Sequence, residues 1–281
     1  MKNEKKNSFI NILMRSVLYS FALIGFLSIL LMAIASKVLI PNMGEKIEIK
    51  KDSVLLVDFN RGFPEINNQD IIAEIMGETP LSMYNLLNVL EAARYDDRIS
   101  ALVGLIDESK LGAAQTQEVM RAVKNFRKSG KKAYVYSQGF GSLGGGMSEY
   151  YLATAFDEIV MQPKSVLGIT GIGVEVPFFH KLLQKVGITP EFYARHEYKN
   201  AIASFLDEQM SPLYREQMQT MVDEFGNYML TQIAEERSVN QQKMTDIINN
   251  APLFAEEALQ EGLIDRIAYK EEFLSGINSG Q

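Results

Sequence analysis

From Ser16 to Ser36 no charged residue interrupts a run of apolar side chains. About 20 such residues carry a helix across the hydrocarbon core of a bilayer. A membrane anchor is therefore expected over residues 16–40, preceded by a short N-terminal segment, 1–15, and followed by a polar linker, 41–52. Lys2, Lys5, Lys6 and Arg15 lie before the apolar run and Lys37 alone follows at once. That asymmetry places the N-terminus in the cytoplasm and the bulk of the chain outside it.

Beyond the linker the pattern changes to short apolar runs alternating with helical periodicity. Buried-type strands are expected at Ser53–Phe59, Leu102–Ile106 and Ala133–Ser137, with further strand-like runs at 157–161, 171–176 and 263–267. Helices are expected at Leu81–Tyr95, at Ala113–Ser129 closed by Gly130, and around His180. Ser211 as N-cap and Pro212 at the first helical position open a long helix to about Arg237. Its apolar face uses Met218, Met221, Val222, Phe225, Met229 and Ile233, which reads the methionines as core. A short helix, 255–261, ends at Gly262. Strand and helix alternating at this rhythm mean an α/β domain with a mainly parallel sheet, here 53–270, and residues 271–281 are left as a tail.

Composition narrows the chemistry. The chain has 281 residues, a formal charge of −7 and no basic stripe, so nucleic acid is not an expected partner. It has no cysteine and two histidines, His180 and His196. Disulfides and thiolate metal sites are thereby excluded, and neither a Ser-His-Asp triad nor a metal centre has support. Gly139 to Gly144 matches G-x-G-x-x-G between a strand and a helix, but the acidic residue that a dinucleotide site wants after the next strand is missing. No cofactor is expected. The glycine-rich loop reads instead as a tight turn at the mouth of a site.

Lys199 stands in uncharged company, with Tyr198 before it and Asn200, Ala201, Ile202 and Ala203 after it. Partial burial is expected there, which would lower its pKa and make it a base able to take a proton from a serine. Spacing alone favours a loop lysine that caps the next helix or pairs with Asp207 or Glu208.

The block Tyr198-Lys199-Asn200-Ala201 followed by Met210-Ser211-Pro212 resembles the lysine region of the signal peptide peptidase A family, membrane-bound serine proteases with a Ser/Lys dyad. The resemblance runs over about residues 50–270. It implies a crotonase/ClpP-like fold of repeated ββα layers, a place in the bacterial inner membrane, cleaved signal peptides as substrates, a homo-oligomer, and Lys199 as general base. The family's nucleophile lies in an Ala-Ser-Gly-Gly-Tyr-Tyr type of segment, and the segment here is Gly146-Met147-Ser148-Glu149-Tyr150-Tyr151. Met147 takes the nucleophile position. Ser148 is one place off, which turns its side chain by about 100° on a helix. The family's Ser-Pro-Gly-Gly loop, which supplies oxyanion contacts, appears as Ser109-Lys110-Leu111-Gly112-Ala113. Both departures resemble the N-terminal repeat of the long, two-repeat form, in which a second repeat carries the serine and the first the lysine. The other readings are a single-repeat protease using Ser148 or Ser142, a non-catalytic membrane-tethered assembly module of the same fold, and a crotonase-type acyl-CoA enzyme, the last at odds with the anchor.

Overall fold

The computed structural model describes residues 2–39, 48–66, 81–141 and 145–278, which fall into two compact units, Met1–Ile49 and Lys50–Gln281. In the first unit, α1 spans Lys2–Leu39. Its Met14–Ile34 stretch has a mean hydropathy of 2.5 and is long and apolar enough to cross a membrane, with its side chains facing outward. Ser20 and Ser28 return their hydroxyls to the carbonyls of Ser16 and Ile24, so α1 leaves neither hydroxyl unpaired.

The second unit is built on five parallel strands in the order β1 (Ser53–Asp58), β2 (Ile99–Leu105), β3 (Lys132–Ser137), β4 (Glu158–Met161) and β7 (Arg266–Ile267). β1 (Ser53–Asp58) continues into a single 3₁₀ turn at Phe59–Arg61. α2 (Met83–Tyr95) is capped by the Ser82 hydroxyl, which accepts from the Asn85 N–H. β2 (Ile99–Leu105), α3 (Ala113–Arg127) and β3 (Lys132–Ser137) follow, and Gly130 adopts φ +87° where α3 ends. Then come α4 (Met147–Ala153), β4 (Glu158–Met161) and β5 (Val166–Leu167).

Strand, helix, strand in parallel pairing is the α/β architecture expected from the sequence. Val119, Val123 and Phe126 of α3 and Leu86 and Leu90 of α2 close one face of the sheet over Leu102, Val135 and Ile159. One strand departs from expectation. β1 is an edge strand, not a buried one, and Leu56 is half exposed there.

After β4 the chain leaves the five-stranded sheet, and β5 belongs to a separate two-stranded one. Residues 171–176, expected as a strand, have no regular structure, and the surrounding segment carries only α5 (His180–Lys185) and α6 (Ala203–Leu206). α7 (Pro212–Glu236) starts where Ser211 and Pro212 place it, with the Ser211 hydroxyl accepting from the Tyr214 N–H. Its buried residues are Met229, Ile233 and Ala234, with Phe225 and Leu230 partly buried against the core, while Met221 is half exposed. The expected continuous core face therefore runs from Phe225 onward, about the C-terminal half.

α8 (Gln241–Asn250) packs Met244 and Ile247 inward, and β6 (Leu253–Phe254) pairs antiparallel with β5. α9 (Ala255–Gln260) and β7 (Arg266–Ile267) return to the sheet. α10 (Lys270–Asn278) occupies the segment left as a tail, and it covers the sheet's second face: Phe273 is fully buried and stacked on Tyr136, ring centroids 5.4 Å apart. Residues 279–281 lie outside the described residues, as do 41–47 of the expected linker and residue 40 at the end of the expected anchor.

Candidate functional site

Parallel α/β sheets bind ligands at the carboxyl ends of their strands, where loops diverge and backbone groups lack ladder partners. In this chain that edge carries a polar network. Asn60, just past β1, accepts at Oδ1 from the N–H groups of Asp107 (2.7 Å) and Glu108 (2.9 Å). Its amide in turn donates to Asp107 Oδ2 at 3.3 Å. Asp107 Oδ1 accepts from the Gln138 N–H at 2.6 Å, and the buried Ser137 hydroxyl accepts from the Gly139 N–H. Three strand ends are thus tied by two side chains. Together with Glu108 and Lys110 they bound a cleft of about 440 Å³. The sequence signal was present, because each residue is polar and directly follows an apolar strand, but their mutual contact depends on strand order.

Beside this cleft the glycine-rich loop crosses other backbone at close range. Gly146 N–H donates to Gly168 O, and Gly168 N–H to Phe140 O at 2.7 Å. A Cβ on Gly146 would lie 2.2 Å from Phe140 O, and one on Gly141 2.1 Å from Gly146 N. Gly141 also adopts φ +69°. No side chain fits at either position, so the glycines fix where α4 begins. Ser142, Leu143 and Gly144 lie outside the described residues.

The first turn of α4 then sets three side chains. Met147 points into the core at 2% exposure. Ser148 is exposed, and its hydroxyl makes no hydrogen bond among the described residues. Glu149 turns back toward the 108–112 loop. Its Oε2 is enclosed with no hydrogen-bond partner among the described residues. Burial pushes the Glu149 carboxyl up, helped by the charge of Glu108, while its own N–H and that of Ser109 pull the other way. Sequence reasoning passed over Glu149, which lies between the expected nucleophile position and the Tyr150-Tyr151 pair. Behind it, Tyr150 is buried and donates its hydroxyl to Leu263 O, so α4 is held from its inner face.

Lys199 lies in the irregular stretch between α5 and α6, and it is exposed. The expected burial is not found. Its N–H reaches His196 O at 3.4 Å, and its ammonium has no hydrogen-bond or ion-pair partner among the described residues, Asp207 and Glu208 included. Glu208 pairs instead with Lys181 at 2.7 Å. No hydrogen bond joins Lys199 to Ser148. Around Lys199 the same stretch turns apolar side chains outward: Val186, Ile188, Phe192, Tyr193 and Tyr198 are all about half exposed or more. A core position would have desolvated the lysine from within the chain. None of the described residues buries it here. His180 is at the start of α5, where its Nδ1 lies 3.2 Å from Phe205 O, and His196 is exposed.

No group of three or more metal-ligating side chains converges among the described residues. The arrangement therefore offers an uncommitted ammonium, a serine hydroxyl without a base, and a strand-end cleft braced by Asn60 and Asp107.

Comparison with known proteins gives this geometry its context. The chloroplastic serine protease SPPA of Arabidopsis thaliana is 27% identical over 195 residues, covering 69% of this chain and 28% of that protein. Protease 4 of Haemophilus influenzae is 26% identical over 195 residues, covering 67% and 30%. A putative protease of Methanocaldococcus jannaschii is 24% identical over 188 residues, covering 67% and 58%. The chain thus spans less than two thirds of the length of each of these relatives. Among solved structures, the membrane-bound stomatin-specific protease 1510-N aligns over 80% of this chain and 84% of that one, at 15% identity and a TM-score of 0.41. The family profile of peptidase family S49 matches residues 125–279, more than half of the sequence and the part that holds α4 and Lys199. The chain belongs to peptidase family S49.

Proposed function

We propose that this chain is the lysine-bearing half of a membrane-anchored serine protease that degrades cleaved signal peptides, with the nucleophilic serine supplied by a second repeat or subunit. The observation that carries the reading is the pairing of a buried Met147 with an exposed Lys199 that has no hydrogen-bond or ion-pair partner among the described residues. A hydroxyl at the position of Met147 would be directed into the core. An ammonium at Lys199 is available to a neighbour instead.

Function as a base requires the lysine to give up its proton, and water favours the charged form. A partner seated on the apolar stretch around Lys199 removes that water. Neutral Lys199 Nζ then accepts the proton of the partner's serine as its Oγ bonds to the scissile carbonyl carbon, and the carbonyl oxygen takes up the negative charge. When the tetrahedral intermediate collapses, the C–N bond breaks and the proton passes from Lys199 to the leaving amine. α1 suits a single-pass anchor, and the basic residues before it suit a cytoplasmic N-terminus and an extracytoplasmic domain.

Labelling the full chain with a serine-directed fluorophosphonate tests the half-site reading. No adduct is expected. An adduct on Ser148, lost in Ser148→Ala, would establish the single-repeat protease instead.

A further inference from the structure

Outside the strand-end cleft, α3 and the exposed part of α7 leave an open groove, one of whose lining residues, Gln217, accepts a hydrogen bond at 2.8 Å from Asn200, the residue after Lys199. It consists of two adjoining cavities of about 530 and 520 Å³ that share Gln117 and Tyr228. Each lies within the range of ligand pockets. Their chemistry differs from end to end. The first carries Arg121, Lys124 and Lys128, spaced three and four residues apart on one face of α3. Lys124 is committed to Glu236, and Lys128 donates to Asn125 at 3.1 Å. Arg121 has no hydrogen-bond or ion-pair partner among the described residues, and Glu118 is the one acidic group lining that end. The second cavity is floored by Met221 and Phe225 and carries a single charge of the opposite sign, Glu224. A chain of net charge −7 has thus gathered cations at one end of a groove whose other end is apolar and faintly acidic.

We propose that this groove is a peptide-binding exosite that holds an apolar peptide by its C-terminal carboxylate. The carboxylate lies at Arg121 and Lys128, and the preceding apolar side chains lie on Met221, Phe225 and Tyr228. Glu224 repels a carboxylate from the far end and so fixes the direction. Two features favour a peptide over an acyl chain of the same polarity. Gln117 and Thr220 line the groove with hydrogen-bonding groups that a peptide backbone can satisfy. An acyl chain would leave them buried and unpaired, which costs binding free energy. The groove also meets the candidate site through one helix: Tyr151 of α4 lines its cationic end, one turn beyond Met147, with its ring edge-on to Tyr228 at 6.5 Å. A peptide seated here presses on the element that starts at Met147.

The peptide class rests on the peptidase reading, and the test reads binding without turnover. The full chain in lipid nanodiscs is titrated into an octapeptide of Leu, Ala and Ser that carries a neutral dye at its N-terminus, as the free acid and as the C-terminal amide. Fluorescence anisotropy at low salt is expected to show the acid bound about fivefold more tightly, a typical effect for a partly exposed ion pair. The preference should shrink at high salt. The double variant Arg121→Gln, Lys128→Gln should bring the two affinities together, and Glu224→Gln should lessen the discrimination between peptide directions. Equal affinities in the unaltered chain, or a preference that survives the double variant, would overturn the assignment. So would dodecanoate displacing the peptide at lower concentration than the unlabelled peptide does, which would give the groove to a lipid. A chain that shows the preference but never yields cleavage in any assembly contradicts the peptidase reading and leaves the exosite standing.

Discussion

Glu149 shows how one side chain changes the character of a site. Its carboxyl is folded under the 108–112 loop with one oxygen lacking a partner among the described residues, and burial raises its pKa from the ordinary 4.5. A carboxyl whose pKa is higher folded than unfolded binds more protons in the native state. Its contribution to stability is therefore intact below pH 4.5 and is lost as pH rises through the raised value. Glu149→Gln keeps the shape and removes the charge, so it should raise Tm at pH 7, with the gain vanishing below about pH 4.5. Thermal unfolding of the two proteins across pH 3.5–8 measures this, and a gain independent of pH would assign the effect to packing. Lys199 is the opposite case. The sequence marked it correctly as standing among uncharged residues, but neighbours in sequence do not bury a side chain when their own apolar groups face outward, as Tyr193 and Tyr198 do.

At the scale of elements, legibility followed the source of the stabilising interaction. The helix starts at Ser82 and Ser211 were readable because a cap is a contact between residues three apart. The parallel strands were readable because apolar runs bounded by helices leave few alternatives. What could not be read depends on neighbours distant in sequence. β1 has the apolar composition of a central strand yet lies at the edge, and the sequence of α10 does not stand out from a tail because the Tyr136 ring that Phe273 stacks on is far away in the chain. α7 is the sharpest instance. Its methionines recur at helical spacing throughout, but only the C-terminal half, from Phe225 on, packs against the core. Met229→Ala is therefore expected to cost roughly 2–5 kcal/mol, the range for a buried Met truncated in a core. Met221→Ala, half exposed, should stay within about 0.5 kcal/mol. Urea unfolding of both variants checks the pair, and equal losses would mean that α7 is covered along its whole length.

For the whole molecule, the distribution of apolar surface carries the functional argument. The sheet and its helices are closed, with Phe59, Phe126, Phe140 and Tyr150 buried. The stretch from Val174 to Leu213 is not closed, and Lys199 lies within it. Exposed apolar surface of this kind is what interaction sites present, and the proposed partner chain would cover it. Family membership was legible in the residues around Lys199 and in the Tyr150-Tyr151 segment. The braced cleft of Asn60, Asp107 and Gln138 was not, because it needs the strand order. The proposed division of labour, with the base here and the nucleophile elsewhere, is argued from the burial of Met147 and from the lack of a hydrogen bond between Ser148 and Lys199. It is tested most directly by mixing. The full chain, reconstituted alone, is assayed with a fluorogenic peptide built on a leucine-rich signal-sequence core, then again after addition of an S49 polypeptide that carries the family serine and lacks the lysine. The account predicts no more than trace cleavage by either partner and robust cleavage by the mixture, lost in Lys199→Ala by roughly 10²–10⁴-fold and not restored by Lys199→Arg, which stays protonated. Robust cleavage by the chain alone, or a mixture indifferent to Lys199→Ala, would contradict it.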